Sequence, residues 1–128
     1  MTFKLSKRSL DNMFGIDAKL IRIANRAIKI TKIDFGIPET GGVRSTEDQK
    51  NLFDKKLSKC DGVRNRSKHQ EGSALDFYAY VDGKANWEPE HLAQIAAAFL
   101  QASVDTGYPI LWGGLFSTWS DMPHVELI

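Results

Sequence analysis

The chain has a single cysteine, Cys60, which excludes an internal disulfide and any cysteine-rich metal site. No histidine stands near Cys60 in the sequence, so it reads as a free thiol in a loop. Nowhere do about 18 apolar residues run together, and no membrane-spanning helix is expected. The opening Met1-Thr2-Phe3-Lys4-Leu5-Ser6-Lys7-Arg8 carries positive charge with no apolar stretch behind it, so no Sec-type signal is expected either. Net charge is also scarce: 17 basic against 16 acidic side chains leave +1. Such a chain has no long-range field to hold nucleic acid or anionic lipid, and a nucleic-acid function is not expected. Repeats, low-complexity tracts and linkers are absent.

What is present is an ordinary globular composition, 42% hydrophobic and 26% charged, in 128 residues, the size of one domain spanning 1–128. From Asp17 to Thr31, Leu20, Ile23, Ala24, Ala27 and Ile28 recur at helical spacing, with Arg22, Arg26 and Lys29 on the wet side. Ile33 to Ile37 alternates as a short strand and is broken by Pro38 and Gly41-Gly42. Thr46 and Gln49 have capping-box spacing, with Ser45 the alternative cap, for a helix whose apolar face is Leu52, Phe53 and Leu57. Arg44 thus precedes a helix N-terminus.

Ser58 to Ser73 is polar and turn-rich and reads as a long exposed connection, of the kind that tends to be functional. Ala74 to Val81 reads as one β-strand closed by the turn pair Asp82-Gly83. Pro89 opens a helix through Leu92, Ile95, Ala96, Phe99 and Leu100 that stops at Gly107. Two short strands follow, Pro109–Trp112 and His124–Leu127, separated by a Gly-, Ser- and Trp-rich loop. Helices and hairpin-like strands in mixed order predict an α+β fold, a small antiparallel sheet with helices packed on it.

Histidine is rare as well: the chain has three, and His69 and His124 stand beside acids in non-helical segments. Catalytic zinc commonly takes three ligands from His, Asp, Glu or Cys and keeps a fourth position for water. His69, Asp76 and His124 would supply such a set, and Asp121, across the tight Met122-Pro123 pair from His124, is placed for a general base. Taken singly, each has an ordinary reading as a surface histidine, a strand carboxylate, a half-buried strand histidine and a loop carboxylate. Glu126, on the strand face of His124, reads as a solvent-facing carboxylate or a support for His124, and His91 reads as a surface histidine. Trp112, Phe116 and Trp119 are candidates for the wall of a groove.

Ser67-Lys68-His69-Gln70-Glu71-Gly72-Ser73-Ala74-Leu75-Asp76 resembles the Ser-x-His-x-x-Gly-x-Ala-x-Asp signature of the hedgehog-like zinc peptidases. That family includes D-alanyl-D-alanine carboxypeptidases and phage L-alanyl-D-glutamate endopeptidases. Asp121-Met122-Pro123-His124 resembles its second motif, and Gly42-Val43-Arg44-Ser45 followed by Gln49 its arginine motif. The resemblance covers nearly the whole chain and is nearest the short endopeptidase lysins of tailed phages, although the loop Gly114–Ser120 is short for the family.

The resemblance implies the hedgehog-like peptidase fold, zinc on His69, Asp76 and His124, Asp121 as catalytic base, and Arg44 hydrogen-bonding the scissile carbonyl or a substrate carboxylate. It implies a peptidoglycan hydrolase cutting stem peptides between L-alanine and D-glutamate, a phage-type endolysin or a bacterial protein derived from one, with a monomer as the default expectation. A terminal D-alanine carboxypeptidase shares the motifs, and a zinc-containing binding module is the non-enzymatic alternative. With no signal expected, the protein would be made in the cytoplasm and reach the cell wall in the periplasm through a holin-type pore.

Overall fold

A computed structural model describes residues 2–128. Among the described residues there are four α-helices: α1 (Lys7–Asn12), α2 (Ala18–Ile30), α3 (Thr46–Asp54) and α4 (Pro89–Thr106). Six short strands accompany them: β1 (Phe35–Gly36), β2 (Ala74–Asp76), β3 (Tyr78–Val81), β4 (Lys84–Asn86), β5 (Ile110–Trp112) and β6 (His124–Leu127). The fold is α+β, as expected, but the strands form two antiparallel sheets of three where one was predicted, ordered β1-β3-β4 and β2-β6-β5.

The apolar stripe of α2 is fully used. Leu20, Ile23, Ala24, Ala27 and Ile28 are all buried, and Asp17 caps the helix by accepting from the Lys19 amide at 2.9 Å. α4 packs along α2, its start set by Pro89 and its end by Gly107, whose φ of 83° suits a left-handed cap. The two sheets close around these helices on Phe35, Phe77 and Phe99. Phe77 and Phe99 stack with centroids 5.2 Å apart, and Phe35 sits 5.2 Å from Phe99 and 6.3 Å from Phe77.

Ala74 to Val81 is not one strand. The chain leaves the second sheet at Asp76, buries Phe77 and enters the first sheet at Tyr78. The Phe77 amide donates to the Pro123 carbonyl at 2.8 Å, so the break costs no backbone hydrogen bond. Period-two patterning cannot reveal such a change of partner, because both pieces remain extended. The Asp82-Gly83 pair does turn the β3–β4 hairpin, with φ of 52° and 77°.

α3 also differs from expectation. Ser45 is the cap, accepting from the Asp48 amide at 3.0 Å. Gln49 is the residue of this helix that is buried, whereas Phe53 and Leu57 are exposed. The helix is held at its polar residue, and that residue leads to the site. α1, with no apolar periodicity to announce it, is capped by Ser6 accepting from the Ser9 amide at 3.1 Å.

Phe99, on α4, does not line the groove that holds the candidate site, so its substitution tests stability apart from function. Phe99→Ala should cost roughly 3–5 kcal/mol of unfolding free energy through lost burial and a residual cavity, measured by denaturant titration. A loss under about 1 kcal/mol would show that the cluster is not the structural centre described here.

Candidate active site

Each candidate ligand is fixed by its own local structure. His69 does not lie in an exposed loop: it is 1% exposed, inside a 3-10 turn at Lys68–Glu71. Ser67 caps that turn, accepting from the His69 amide at 3.2 Å, while the Gln70 side chain accepts from the Ser67 amide at 2.9 Å. Gly72 ends it with φ 73°, and a Cβ there would meet the Gly15 carbonyl at 2.9 Å. The turn then passes directly into β2 and Asp76.

β2 pairs antiparallel with β6, the central strand of its sheet, in a register that sets Asp76 opposite His124. His69 Nε2 lies 3.1 Å from Asp76 Oδ1 and 3.2 Å from His124 Nδ1, and His124 Nδ1 lies 3.1 Å from Asp76 Oδ1. These three atoms form a nearly equilateral triangle. Their ring and carboxylate neighbours determine what that triangle can hold.

His69 Nδ1 lies 2.9 Å from the Gly42 carbonyl, which can only accept, so the ring proton is on Nδ1 and Nε2 presents a lone pair. His124 Nε2 lies 2.8 Å from the Glu126 carboxylate, which likewise accepts the hydrogen bond of that ring nitrogen and leaves Nδ1 as the atom that can offer a lone pair once its own proton is displaced. With Asp76 Oδ1, three potential ligand atoms therefore converge on one point, where a metal cation would take a lone pair from each and where, without one, a proton on His124 Nδ1 is shared with Asp76. A tetrahedral zinc with arms of about 2.0–2.2 Å separates its donors by roughly 3.3–3.6 Å, close to the spacing seen, and two imidazoles with one carboxylate suit that metal. The donor set fits zinc.

Without a metal, the electrostatics of the site place positive charge on His124 instead. Burial works against charge on His124, yet hydrogen bonds with Asp76 and Glu126 outweigh it and push its pKa up to about 9. Burial would raise the Asp76 carboxyl, but hydrogen bonds from His124 and His69 hold it well below the usual carboxylate range. Glu126 is lowered chiefly by its hydrogen bond with His124. The solvent-facing reading of Glu126 is thereby replaced: its side chain is 15% exposed and orients a ligand ring.

Support also comes from the chain just after β1. The Asp76 amide donates to the Gly41 carbonyl at 2.8 Å, and the Arg44 amide donates to the His69 carbonyl at 3.1 Å. With the His69–Gly42 bond, these zip residues 41–44 onto both ligand segments. A Cβ on Gly42 would collide with the Asn12 carbonyl, so α1 presses this segment into place. The glycine pair, read in the sequence only as a strand break, lets the backbone approach this closely.

Arg44 lies against the ligands with its side chain 9% exposed. It donates to Asp76 Oδ2 at 2.8 Å, the Thr40 carbonyl at 2.8 Å and Gln49 Oε1 at 3.1 Å. Gln49 in turn donates to Ser58 Oγ at 2.8 Å and the Cys60 carbonyl at 2.7 Å, tying the following loop to the site. Most of the Arg44 fork is thus committed to protein partners, with the remainder bordering the groove.

Asp121 Oδ2 lies 3.8 Å from His124 Nδ1, beside the triangle and outside it. Its position depends on Gly113, whose carbonyl accepts from the Asp121 amide at 2.8 Å and where a Cβ would strike the Asp121 carbonyl. Burial and the Asp76 charge raise the Asp121 pKa. A groove of about 270 Å³ opens over these residues, walled by Phe116 and Trp119. Trp112 serves the fold instead, its indole donating to the Met122 carbonyl at 2.7 Å. His91 is tied to Asn86 Oδ1 at 2.9 Å, away from this groove.

Three convergent acceptors with a carboxylate at their edge, open to a groove, make the kind of centre that metal-dependent hydrolases use. Residues 1–128 match the family model for phage L-alanyl-D-glutamate peptidase, and the chain belongs to that family of endopeptidases. It is similar to the L-alanyl-D-glutamate peptidase of Escherichia phage T5, 29% identical over 129 residues that cover 99% of this chain and 90% of that protein. It is also similar to the crystal structure of the Serratia marcescens L-Ala D-Glu endopeptidase ChiX, with 31% identity and a TM-score of 0.85 over 98% of this chain and 90% of that one.

Because Glu126 sets the tautomer and orientation of His124, Glu126→Ala should weaken zinc binding roughly 10–100-fold, read by competition with a chelating dye. Glu126→Gln, which keeps an acceptor oxygen, should lose less. Equal affinity for wild type and Glu126→Ala would exclude the ring-orienting role.

Proposed function

We propose that this chain is a zinc-dependent endopeptidase that hydrolyses the L-alanyl-D-glutamate bond of the peptidoglycan stem peptide, residues 1–128 acting as one catalytic domain. The observation that carries the reading is the triangle of lone pairs from His69, Asp76 and His124, with Asp121 beside it. The family and both relatives support the bond assignment.

When bound there, zinc would supply Lewis acidity that acidifies a water and polarises the scissile carbonyl. Asp121 is the proton carrier: it takes a proton from the attacking water and delivers it to the leaving amine. Its place beside His124 Nδ1, 3.8 Å away and outside the triangle, puts its carboxylate within reach of both the attacking water and the leaving amine. Arg44 fixes Asp76 as an anion and, through the part of its fork that borders the groove, offers positive charge to the developing oxyanion. Glu126 and the Gly42 carbonyl hold the two rings so that each presents its lone pair inward.

Among the described residues no helix is long and apolar enough to cross a membrane. The proposed route is synthesis in the cytoplasm as a monomer, with passage to the cell wall through a pore formed by another protein, a holin in a phage setting.

Digestion of purified muropeptides by the zinc-loaded protein should release peptides beginning at D-glutamate, identified by mass spectrometry. Chelation should abolish release, and Asp121→Ala should lower kcat by roughly 10²–10⁴-fold, the usual range for a lost proton carrier. Removal of terminal D-alanine alone would instead establish a carboxypeptidase, and bound zinc without cleavage would leave a binding module.

A further inference from the structure

The floor of the groove is acidic, with Asp76, Asp121 and Glu126 in its lining, yet its rim carries three cations, Lys59, Arg66 and Lys68. Among the described residues none of the three forms a salt bridge. The groove acids are already engaged: Asp76 by Arg44 and both imidazoles, Glu126 by His124. Among the described residues no carboxylate neutralises any of the three charged heads.

Their backbones are not free. Arg66 and Lys68 flank Ser67, the hydroxyl that caps the His69 turn, so both branch from positions fixed relative to a ligand. Arg66 makes only a long 3.5 Å contact with the Gly62 carbonyl. Lys59 sits between Ser58 and Cys60, both bound by the buried Gln49, and its ammonium lies 5.6 Å from the centre of the Trp119 ring. Anchored bases whose charge no acid balances, lining a groove, are suited to an anionic ligand.

The substrate supplies one. Whichever carboxyl of D-glutamate continues the chain, the other stays free, so the residue on the leaving side carries a negative charge. Asp121 and Glu126 would repel that charge, and Arg44, the sequence's candidate for a substrate carboxylate, is largely spent on Asp76, Thr40 and Gln49.

We propose that Lys59, Arg66 and Lys68 form an anion subsite that receives the free carboxylate of the D-glutamyl residue and so sets specificity on the leaving side. This rests on the endopeptidase reading above. The subsite selects the acid over its neutral amide, which has nearly the same shape and lacks the charge.

The test uses two synthetic stem peptides that differ only in that group, one with the free carboxylate and one with the carboxamide. The zinc-loaded wild type should favour the acid by about tenfold in kcat/KM, mainly through KM, with the preference shrinking as salt screens the exposed cations. In Arg66→Gln/Lys68→Gln the ratio should fall to within about twofold of unity while zinc content stays that of the wild type, and Lys59→Gln should give an intermediate ratio. Equal cleavage of both peptides by the wild type, or a preference that survives in the double variant and in Lys59→Gln, would overturn the subsite alone. Failure of the wild type to cut either peptide would overturn the endopeptidase reading and the subsite with it.

Discussion

The register of β2 against β6 is the constraint on which the rest of the site depends. It places Asp76 directly opposite His124. The side-chain period of a strand is two, so a slip of one residue would turn Asp76 or His124 to the other face and dismantle the triangle. Leu75 and Val125, the preceding pair, are both fully buried, and burying them is what forbids the slip. The same apolar pairing that stabilises the sheet thus fixes the polar pair beside it.

Around that pair the structure brings two ring nitrogens and a carboxylate oxygen together and holds them from outside. Gly42 and Glu126 take the ring protons outward, and Arg44 lies on the far oxygen of Asp76. Removing any one would free a ring to turn or a carboxylate to move. The glycines at 41 and 42 belong to this machinery as much as the charged groups do, because backbone carbonyls must come within hydrogen-bond reach of both ligand segments. Gln49 extends the network to Ser58 and Cys60, so the loop bearing Lys59 is positioned from the same centre.

Much of this was legible where the signal is local. The stripe from Leu20 to Ile28, the Pro89 start and Gly107 stop, and the Asp82-Gly83 turn each depend on neighbours a few residues away. His69 with Asp76 and Asp121 with His124 were visible as short-range pairs for the same reason. What was not legible depends on partners remote in sequence. The split of residues 74–81 between two sheets is decided by Pro123 and Phe35 with Phe99, and the burial of His69 by Gly42 and His124. Glu126 looked solvent-facing because a carboxylate alternating along a strand usually is; only His124 turned into the site gives it a partner. Gln49 looked like a capping residue, and its burial is set by Arg44 and the loop at 58–60.

By itself the sequence determined which residue types could bind a cation, which segments would be helical, and the family motifs in their order. Those properties follow from composition, periodicity and spacing, which the chain carries before it folds. Tertiary structure decided that ring nitrogens of His69 and His124, 55 positions apart, would lie 3.2 Å from each other, and that Arg44, 32 positions before Asp76, would hold its second oxygen. No local pattern specifies such distances, because they are set by strand pairing and by a core that closes in only one way.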